Sequence, residues 1–512
     1  MSHWIIFPIL LPALMAPILL MGARFDLVLA RIFSLATCVA LLGVAIRLFL
    51  AASDGAVLTY DLGNWPAPFG IVLVLDRLSA LMLVLTAVLA LLVLLFAIDG
   101  DDARGRHFHA LYQFQLMGIN GAFLTGDFFN LFVFFEVLLI ASYGLMVHGG
   151  GPARLKAGVQ YVFINLVGSS LFLIAVAMIY SVTGTLNMAD LARQVPQVTA
   201  ADQALLQAGS LLLLLVFCIK AALVPVHFWL PSTYAKAPAA VAALFAIMTK
   251  VGAYCIIRLY ILAFGADAGD AAWLAAPWLL PAALFTLILG AVGVLAARYL
   301  GQLAAFAVIG SMGVLLSTVA LFTPASLSAA LYYLLHSTIA GATLFLIADL
   351  VANRRPGHGD ALSVAPRFSQ LALLGGLFFI AAIAMSGMPP LSGFIGKLLI
   401  LDAARSHPTA IGFWAMILGT SLLVIVGFGR AGSTLFWKST GEPGSFVDHP
   451  RRNTLGYVSI GALLTCSVLL TFFAGPLTRY LDATALQVYD TSRYADAVLL
   501  PLPQFIDGAE PP

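Results

Sequence analysis

Four ionisable side chains lie inside long apolar runs of this chain. They are Glu136, Lys220, Lys250 and Lys397, and each occupies the middle or an interruption of a run long enough to cross a bilayer. A charged residue at the centre of a membrane helix costs about 2.5 to 3.5 kcal/mol on insertion scales, and such residues usually line a polar path. Carboxyl and amine groups can both transfer protons. The four side chains therefore predict a route for protons or ions through a membrane.

Glu136 is the only glutamate within an apolar run. Alone in hydrocarbon a carboxyl group stays protonated, whereas a neighbouring lysine favours its ionisation. Lys220 is the natural partner, and changes in the geometry of Glu136 would then switch Lys220 between holding and releasing a proton. Two structural alternatives are a pair that only joins two helices and a Lys220 that serves only as an anchor at the membrane surface.

Lys250, His336 and Lys397 extend the set. Lys250 lies in mid-run, with Thr249 and Tyr254 as candidate partners for water. His336 also lies in mid-run, and histidine suits a proton relay because it titrates near neutrality, although a single histidine in a helix is often structural. Lys397 would end the row and exchange protons with one aqueous side.

Composition places these residues in a membrane protein. The chain is 62% hydrophobic and 9% charged, against about 25% charged in ordinary soluble domains. Its net charge of +2 and scattered basic residues give no indication of nucleic-acid binding. The four cysteines lie in apolar runs without CxxC spacing, which disfavours zinc, iron–sulfur clusters and disulfides. The first run lacks a basic segment before it, so we expect a retained helix rather than a signal peptide.

The apolar runs predict an all-α polytopic protein with about fourteen transmembrane helices, since a span needs about 20 apolar residues. The tail from Leu477 to Pro512 is polar enough to leave the membrane. The predicted spans are 4–22, 27–51, 71–98, 108–125, 127–148, 155–182, 205–230, 237–264, 272–297, 300–322, 326–352, 370–404, 410–437 and 453–476.

Basic residues are distributed unequally between the two sets of loops. Fourteen Lys and Arg residues fall in the loops after odd-numbered spans, including Arg24, Arg451 and Arg452, and four fall on the other side. Because cytoplasmic loops are enriched in Lys and Arg, both termini are expected to face the periplasm or exterior of a bacterial inner membrane.

Prolines interrupt two of the spans, and each interruption lies near a lysine. Pro225 and His227 follow Lys220, and Pro389 and Pro390 precede Lys397. Proline breaks are tolerated in membrane helices where protein or a wet cavity satisfies the freed backbone groups. His227 could cap the first break or join the polar path.

The two lysines occupy the fourth span of two five-span groups, and paired broken helices mark ion sites in repeat-built transporters. The sequence thus predicts an N-terminal three-helix region at 1–107, five-helix repeats at 108–264 and 272–438, and a last helix and tail at 453–512.

The remaining charges are interpreted as structural, and the common cofactor and metal motifs are absent. Asp76 and Arg77 are interpreted as structural, and Arg258 and Asp349 are expected to reach the membrane interface. Leu391 stands where a P-loop would need glycine, and neither a dinucleotide-binding glycine pattern nor HExxH occurs. We therefore expect no cofactor and no bound metal, and an ion gradient or a partner subunit as the energy source.

Several segments resemble a known family. The segments 130–143, 220–231 and 386–394, together with 75–82 and 335–349, are similar to the antiporter-like subunits of respiratory complex I. Among these relatives the chain most resembles the D-type subunits of multisubunit Mrp (Mnh or Pha) monovalent cation/proton antiporters. The resemblance extends over about residues 70–440.

The resemblance implies fourteen helices with two inverted five-helix repeats and a hydrated midplane row of ionisable residues. In that row Glu136 and Lys220 would be the coupling pair, Lys250 the central lysine, His336 a relay and Lys397 the terminal lysine. It also implies a secondary transporter subunit, not an enzyme, that works with other Mrp-type subunits to exchange protons for Na⁺ or K⁺.

Two other classes of function remain open at this point. One is a proton-pumping subunit of a redox-driven complex, either a complex I-like NADH:quinone oxidoreductase or a membrane-bound hydrogenase. The other is a non-conducting scaffold subunit, for which four buried ionisable residues would have no use. Neighbouring genes would separate the first class from an antiporter.

Overall fold

The computed structural model describes residues 2–22, 25–439 and 454–500, and this part of the chain is almost entirely helical. The helices are α1 (Phe7–Met21), α2 (Leu27–Ala52), α3 (Arg77–Ile98), α4 (Phe108–Leu124), α5 (Phe128–Met146), α6 (Pro152–Thr183), α7 (Met188–Gln194), α8 (Gln203–Ala221), α9 (Trp229–Lys236), α10 (Ala239–Leu262), α11 (Ala276–Ala296), α12 (Leu300–Val319), α13 (Pro324–Ala352), α14 (Leu371–Ser386), α15 (Ser392–Ala403), α16 (Ala410–Gly432), α17 (Thr454–Phe472), α18 (Ala474–Tyr489) and α19 (Thr491–Leu499), with strands β1 (Leu58–Asp61) and β2 (Val72–Leu75).

Twelve helical segments in the described part are long and apolar enough to cross a membrane. The protein is therefore an all-α polytopic membrane protein. The two other expected spans correspond to shorter helices, α4 with 17 residues and α14 with 16 residues, so the count of fourteen stays a prediction. Arg24, Arg451 and Arg452, which entered the loop-charge argument, lie outside the described residues.

The N-terminal region contains a feature that the apolar pattern concealed. Strands β1 and β2 pair antiparallel between α2 and α3, whereas the sequence predicted a span from residue 71. The helix begins only at Arg77, because Asp76 and Ser79 form a reciprocal capping box that fixes its first turn. All four residues of β2 are buried, which explains why their sequence looks like the start of a membrane helix.

Helices α10, α12 and α13 form the interior of the protein. In the most apolar window of each, 100%, 89% and 94% of the residues are buried, against 28% to 39% for the helices that begin at His3, Leu27, Ala410 and Thr454. A helix that is apolar on all sides must face either other helices or lipid. The first three are therefore enclosed by protein, and the outer helices have surface left for lipid or partner subunits.

Glycine allows equivalent close approaches in the two predicted repeats. A Cβ atom on Gly118 of α4 would lie 2.6 Å from Leu138 of α5, and one on Gly290 of α11 would lie 2.4 Å from Gly310 of α12. Small residues let membrane helices pack closely. The first two helices of each predicted five-helix group thus both approach closely at a glycine, and the division at 108–264 and 272–438 stays a prediction.

Both predicted interruptions are present, and each divides the expected span into two helices. The span expected at 205–230 ends as α8 at Ala221, with Ala222 in a left-handed conformation (φ 54°), and α9 resumes at Trp229. The span expected at 370–404 consists of α14 and α15, separated by Gly387 (φ 76°) and the two prolines. Left-handed backbone ends a right-handed helix, so the prolines do not act alone.

The C-terminal helices α18 and α19 fold back over the side opposite the basic loops. Gln487 accepts a hydrogen bond from the backbone N–H of Arg77 (3.0 Å) and donates one to the carbonyl of Gly55 (2.8 Å). Ser328 donates to Asp482 (2.6 Å). We call α18 and α19 the C-terminal strap, because it connects the β-hairpin region to α13.

Gly387 offers a test of the second interruption. Alanine at this position is expected to destabilise the protein by about 1 to 2 kcal/mol, because a side chain disfavours left-handed backbone, and its Cβ would lie 2.6 Å from Cδ of Lys397. Gly376→Ala in α14 is the matched control, because nothing lies within 4 Å of its Cβ. Thermal unfolding of the purified complex measures the stability of both variants. Equal melting temperatures for Gly387→Ala and Gly376→Ala would contradict the prediction.

Candidate functional site

The first group of predicted site residues surrounds the break between α8 and α9. Lys220 occupies the last turn of α8 and is 9% exposed. Its ammonium donates to Oδ1 of Asn165 on α6 (3.1 Å) and lies 5.6 Å from the ring centroid of Phe135 on α5. The partners of Lys220 are therefore an amide and an aromatic face.

Glu136 is half-buried on α5, next to Phe135, and its enclosed Oε1 atom has no hydrogen-bond partner among the described residues. In the described part of the chain no ion pair forms between Glu136 and Lys220 within 4.0 Å. The sequence predicted a direct pair, but α6 supplies Asn165 to the ammonium instead. The two charges are placed on neighbouring elements without contact.

A small cavity adjoins Lys220. It is lined by Lys220, Asn165, Phe135 and Trp229, and it has a volume of about 20 Å³. A site of roughly 10 to 15 Å³ is enough for one water molecule when polar partners are present. The lysine and the amide supply such partners, so the cavity can hold a water beside Lys220.

Lys250 lies at the centre of α10 and is completely buried. Its Nζ atom has no hydrogen-bond partner among the residues described. The expectation that Thr249 and Tyr254 hold water for it stays a prediction, since each hydroxyl donates to a carbonyl and can still accept a hydrogen bond. The Thr249 hydroxyl donates to the carbonyl of Ala246 (3.3 Å), and that of Tyr254 donates to the carbonyl of Phe123 (2.7 Å).

The second group surrounds His336 on α13. Its Nδ1 atom is hydrogen-bonded to the hydroxyl of Ser392 on α15 (2.9 Å), which in turn contacts the hydroxyl of Ser467 on α17 (2.8 Å). The Nε2 atom is buried and has no partner in the described part of the chain. One ring nitrogen is thus held by a hydroxyl chain while the other faces the protein interior.

Lys397 lies on α15 immediately after the second break. Its ammonium donates to the carbonyl of Ser386, the last residue of α14, and to the hydroxyl of Ser421 on α16, both at 2.7 Å. A cavity of about 20 Å³ adjoins it and is lined also by Ser311 and Tyr333. The lysine therefore satisfies a carbonyl that the break leaves without a helical partner and also reaches a second element.

The helix-break residues lie in the two turns that separate the paired helices. Pro225 and His227 connect α8 to α9, and Pro389 and Pro390 connect α14 to α15. The enclosed Nδ1 atom of His227 makes no hydrogen bond to a described residue. In the first turn the indole N–H of Trp229 donates to the carbonyl of Ile219 (3.1 Å).

Sequence reasoning missed the neutral partners of Lys220, His336 and Lys397. Asn165 is a carboxamide in the middle of an apolar helix, and Ser392 and Ser421 are hydroxyls facing the interior. Polar side chains in the middle of a span were the available signal for Asn165. The serines gave no such signal in the sequence, because the hydroxyl of a serine in a helix can also bond a carbonyl in the preceding turn of its own helix.

Arg258 was expected to reach the membrane interface, and this expectation was wrong. Its side chain is buried on α10, and the guanidinium forms a two-pronged ion pair with Asp76 at 2.6 and 2.9 Å. Tyr494 of the C-terminal strap covers it at 5.1 Å from the ring centroid. A buried arginine requires such a partner, and Asp76 supplies it while also capping α3.

The fold and these interior groups define a multi-pass membrane protein in which two of the enclosed lysines are held by neutral partners. Residues 125–424 match the family described as NADH:quinone oxidoreductase/Mrp antiporter, transmembrane. This match covers more than half of the chain, and the chain belongs to that family.

Individual relatives agree with the family over the full length. The chain is 39% identical to the D-type subunit of a probable K⁺/H⁺ antiporter from Rhizobium meliloti strain 1021, over 98% of each chain. It is 38% identical to the D-type subunit of the Na⁺/H⁺ antiporter of Bacillus subtilis strain 168, over 98% of this chain and 100% of the relative. A chain in the structure of the Mrp complex from Dietzia sp. DQ12-45-1b matches with a TM-score of 0.84 and 29% identity, over 98% and 100% of the two chains.

The buried ion pair gives a prediction about stability. Asp76→Asn keeps an oxygen for the capping of α3 but leaves Arg258 without an opposing charge, so we expect a loss of about 3 to 5 kcal/mol. The control is Asp496→Asn, which breaks an exposed pair with Arg193 and should cost no more than about 1 kcal/mol. Chemical denaturation of both variants makes the comparison, and similar small losses would refute a structural role for the buried pair.

Proposed function

We propose that this chain is the D-type, proton-translocating subunit of a multisubunit Na⁺(K⁺)/H⁺ antiporter. The names of the relatives support this function, since two full-length relatives are D-type antiporter subunits. A structural neighbour of the chain belongs to an Mrp complex. The chain would accordingly work in a hetero-oligomer with other antiporter subunits, without a cofactor of its own.

The observation that carries the mechanism is the surroundings of the three lysines. Lys220 bonds an amide, Lys397 bonds a carbonyl and a hydroxyl, and Lys250 has no partner among the described residues. An enclosed lysine without a contacting carboxylate is a group that can take up and release a proton as nearby charges change. A set of such groups across the interior can pass protons from one to the next.

The proposed row runs through both predicted repeats. Glu136 and Lys220 occupy the first, Lys250 lies on the buried helix α10, and His336 and Lys397 occupy the second. Water in the cavities beside Lys220 and Lys397 would extend the short reach of these side chains. Such a row would lie near the membrane midplane between the two repeats, where repeat-built transporters place their ion sites.

The gap between Glu136 and Lys220 suggests how coupling would operate. Because the carboxylate does not contact the ammonium, movement of either helix can change the strength of their attraction. Asn165 holds Lys220 in the separated arrangement. Approach of Glu136 would stabilise the charged lysine, and separation would favour proton release toward Lys250.

Site variants test this function. Glu136→Ala and Lys220→Ala should each reduce cation-dependent proton flux at least about a hundredfold, because a positioned proton-transfer group contributes about 10²–10⁴-fold. Lys397→Ala should slow exchange. The measurement is Na⁺- or K⁺-induced pH change in everted vesicles that contain the complete complex.

Lys156→Ala is the matched control, because this lysine is exposed near the start of α6, and its flux should equal that of the unmodified complex. Native gels must show that every variant assembles. Normal flux in assembled Glu136→Ala and Lys220→Ala complexes would refute the proposed row.

We also propose that both termini face the exterior of a bacterial inner membrane. Arg154 at the start of α6 donates to the carbonyls of Lys236 and His148, and Arg430 donates to the carbonyl of Ala297. These basic positions therefore gather on one side of the protein, which the distribution of Lys and Arg would place in the cytoplasm.

Reporter fusions test the orientation. Alkaline phosphatase fused after the C-terminal residue should be active, because it would be exported, and green fluorescent protein at the same place should be dark. Fusions after Gly105, in the loop between α3 and α4, should give the opposite pair of results. Reversed activities at the two sites would contradict the proposed orientation.

A further inference from the structure

A cavity of about 180 Å³ lies at the start of α4, on the side of the basic loops. It is far larger than the cavities of about 20 Å³ beside Lys220 and Lys397. We call it the α4 cavity. One wall is apolar and is formed by Leu19 of α1 with Leu27 and Ala30 of α2, and the other is formed by the loop before α4 and by the first turn of that helix.

The polar wall is suited to an anion. Helix α4 begins at Phe108 without a side-chain cap from His107, and the first N–H groups of a helix have no acceptor within it. These groups and the helix dipole attract negative charge. The exposed side chain of Arg106 lines the same wall. The positively charged Arg106 and the free N–H groups of the first turn of α4 thus lie at the same cavity.

His109 provides an independent observation. Its side chain lines the α4 cavity and is 4% exposed, its Nε2 atom is 3.1 Å from Asp102, and its buried Nδ1 atom has no hydrogen-bond partner among the described residues. A buried polar atom without a partner is uncommon. An acceptor placed in the cavity would give a protonated ring its second hydrogen bond.

Asp102 also lines the cavity, but its charge is already balanced. Its Oδ1 accepts from Arg31 at 2.8 Å, and its Oδ2 accepts from Arg31 at 2.6 Å and faces His109. Burial favours the neutral acid, but the hydrogen bonds to Arg31 and His109 outweigh it and hold the pKa of Asp102 below its ordinary value. With Arg106 added, the wall retains a net positive charge.

The apolar wall indicates where the anion comes from. Met21 at the end of α1 is 77% exposed and Val28 at the start of α2 is 63% exposed, so the helix ends that supply Leu19 and Leu27 to the cavity also carry exposed apolar side chains. Both lie where membrane helices end, which is the level of lipid headgroups. Basic pockets between membrane helices at this level are suited to anionic headgroups.

We propose that the α4 cavity binds the phosphate group of an anionic phospholipid. The N-terminus of α4, His109 and Arg106 contact the phosphate, and the glycerol and the upper acyl chain lie against Leu19 and Leu27. The site is separate from the proton row, so this inference does not depend on the proposed transport function.

The test uses the assembled complex, depleted of lipid in detergent. Native mass spectrometry counts bound phosphatidylglycerol during titration, with phosphatidylcholine and inorganic phosphate as parallel ligands. We expect tighter binding of phosphatidylglycerol than of the other two. Inorganic phosphate that displaces the lipid at equal concentration would overturn the lipid assignment in favour of a soluble phosphate.

Variants locate the site. Arg106→Gln should weaken the binding of phosphatidylglycerol about fivefold, which corresponds to about 1 kcal/mol for a basic residue near a membrane surface, and His109→Gln should also weaken it. Lys156→Gln removes one exposed charge from the same side and should leave affinity unchanged. Equal affinities in Arg106→Gln, His109→Gln and the unmodified complex, or an equal loss in Lys156→Gln, would overturn the proposal. Arg106 is exposed, so its replacement tests binding without endangering the fold.

Discussion

The structure depends on one constraint: backbone polar groups inside a membrane must find partners within the protein. Breaking a helix leaves carbonyl groups without their helical partners, and other backbone groups or side chains must then satisfy them. At the second break the ammonium of Lys397 donates to the carbonyl of Ser386, and at the first the indole of Trp229 donates to that of Ile219. The interruption and the ionisable residue therefore stabilise each other at the second site, because the freed carbonyl gives the buried cation an acceptor.

Burial determines which helices can hold such groups. Lys250 and His336 lie on α10 and α13, which are enclosed almost completely by other helices. A charge on the outer helices would face lipid or a partner subunit instead. Both lysines at the breaks have neutral hydrogen-bond partners, whereas Arg258 is fixed by direct contact with Asp76. The same protein thus contains buried basic residues in two different settings, one with neutral hydrogen-bond partners and one in a direct ion pair.

The sequence predicted those features that depend on local pattern. Proline next to a buried lysine located both breaks, and the length of the apolar runs located most helices. Features that depend on distant contacts were not predictable in this way. Arg258 finds Asp76 at a separation of 182 residues, and Lys220 finds Asn165 at a separation of 55 residues. Strand β2 was missed because Val72–Leu75 is as apolar as the helix that follows it.

The C-terminal strap has a consequence for biogenesis. The bond between Arg77 and Gln487 joins residues that are 410 positions apart, and Tyr494 covers the guanidinium of Arg258. A ribosome completes the β-hairpin region and α10 long before it reaches these groups. The packing around Arg258 is therefore completed only near the end of translation. Until then the guanidinium of Arg258 lacks the covering ring of Tyr494.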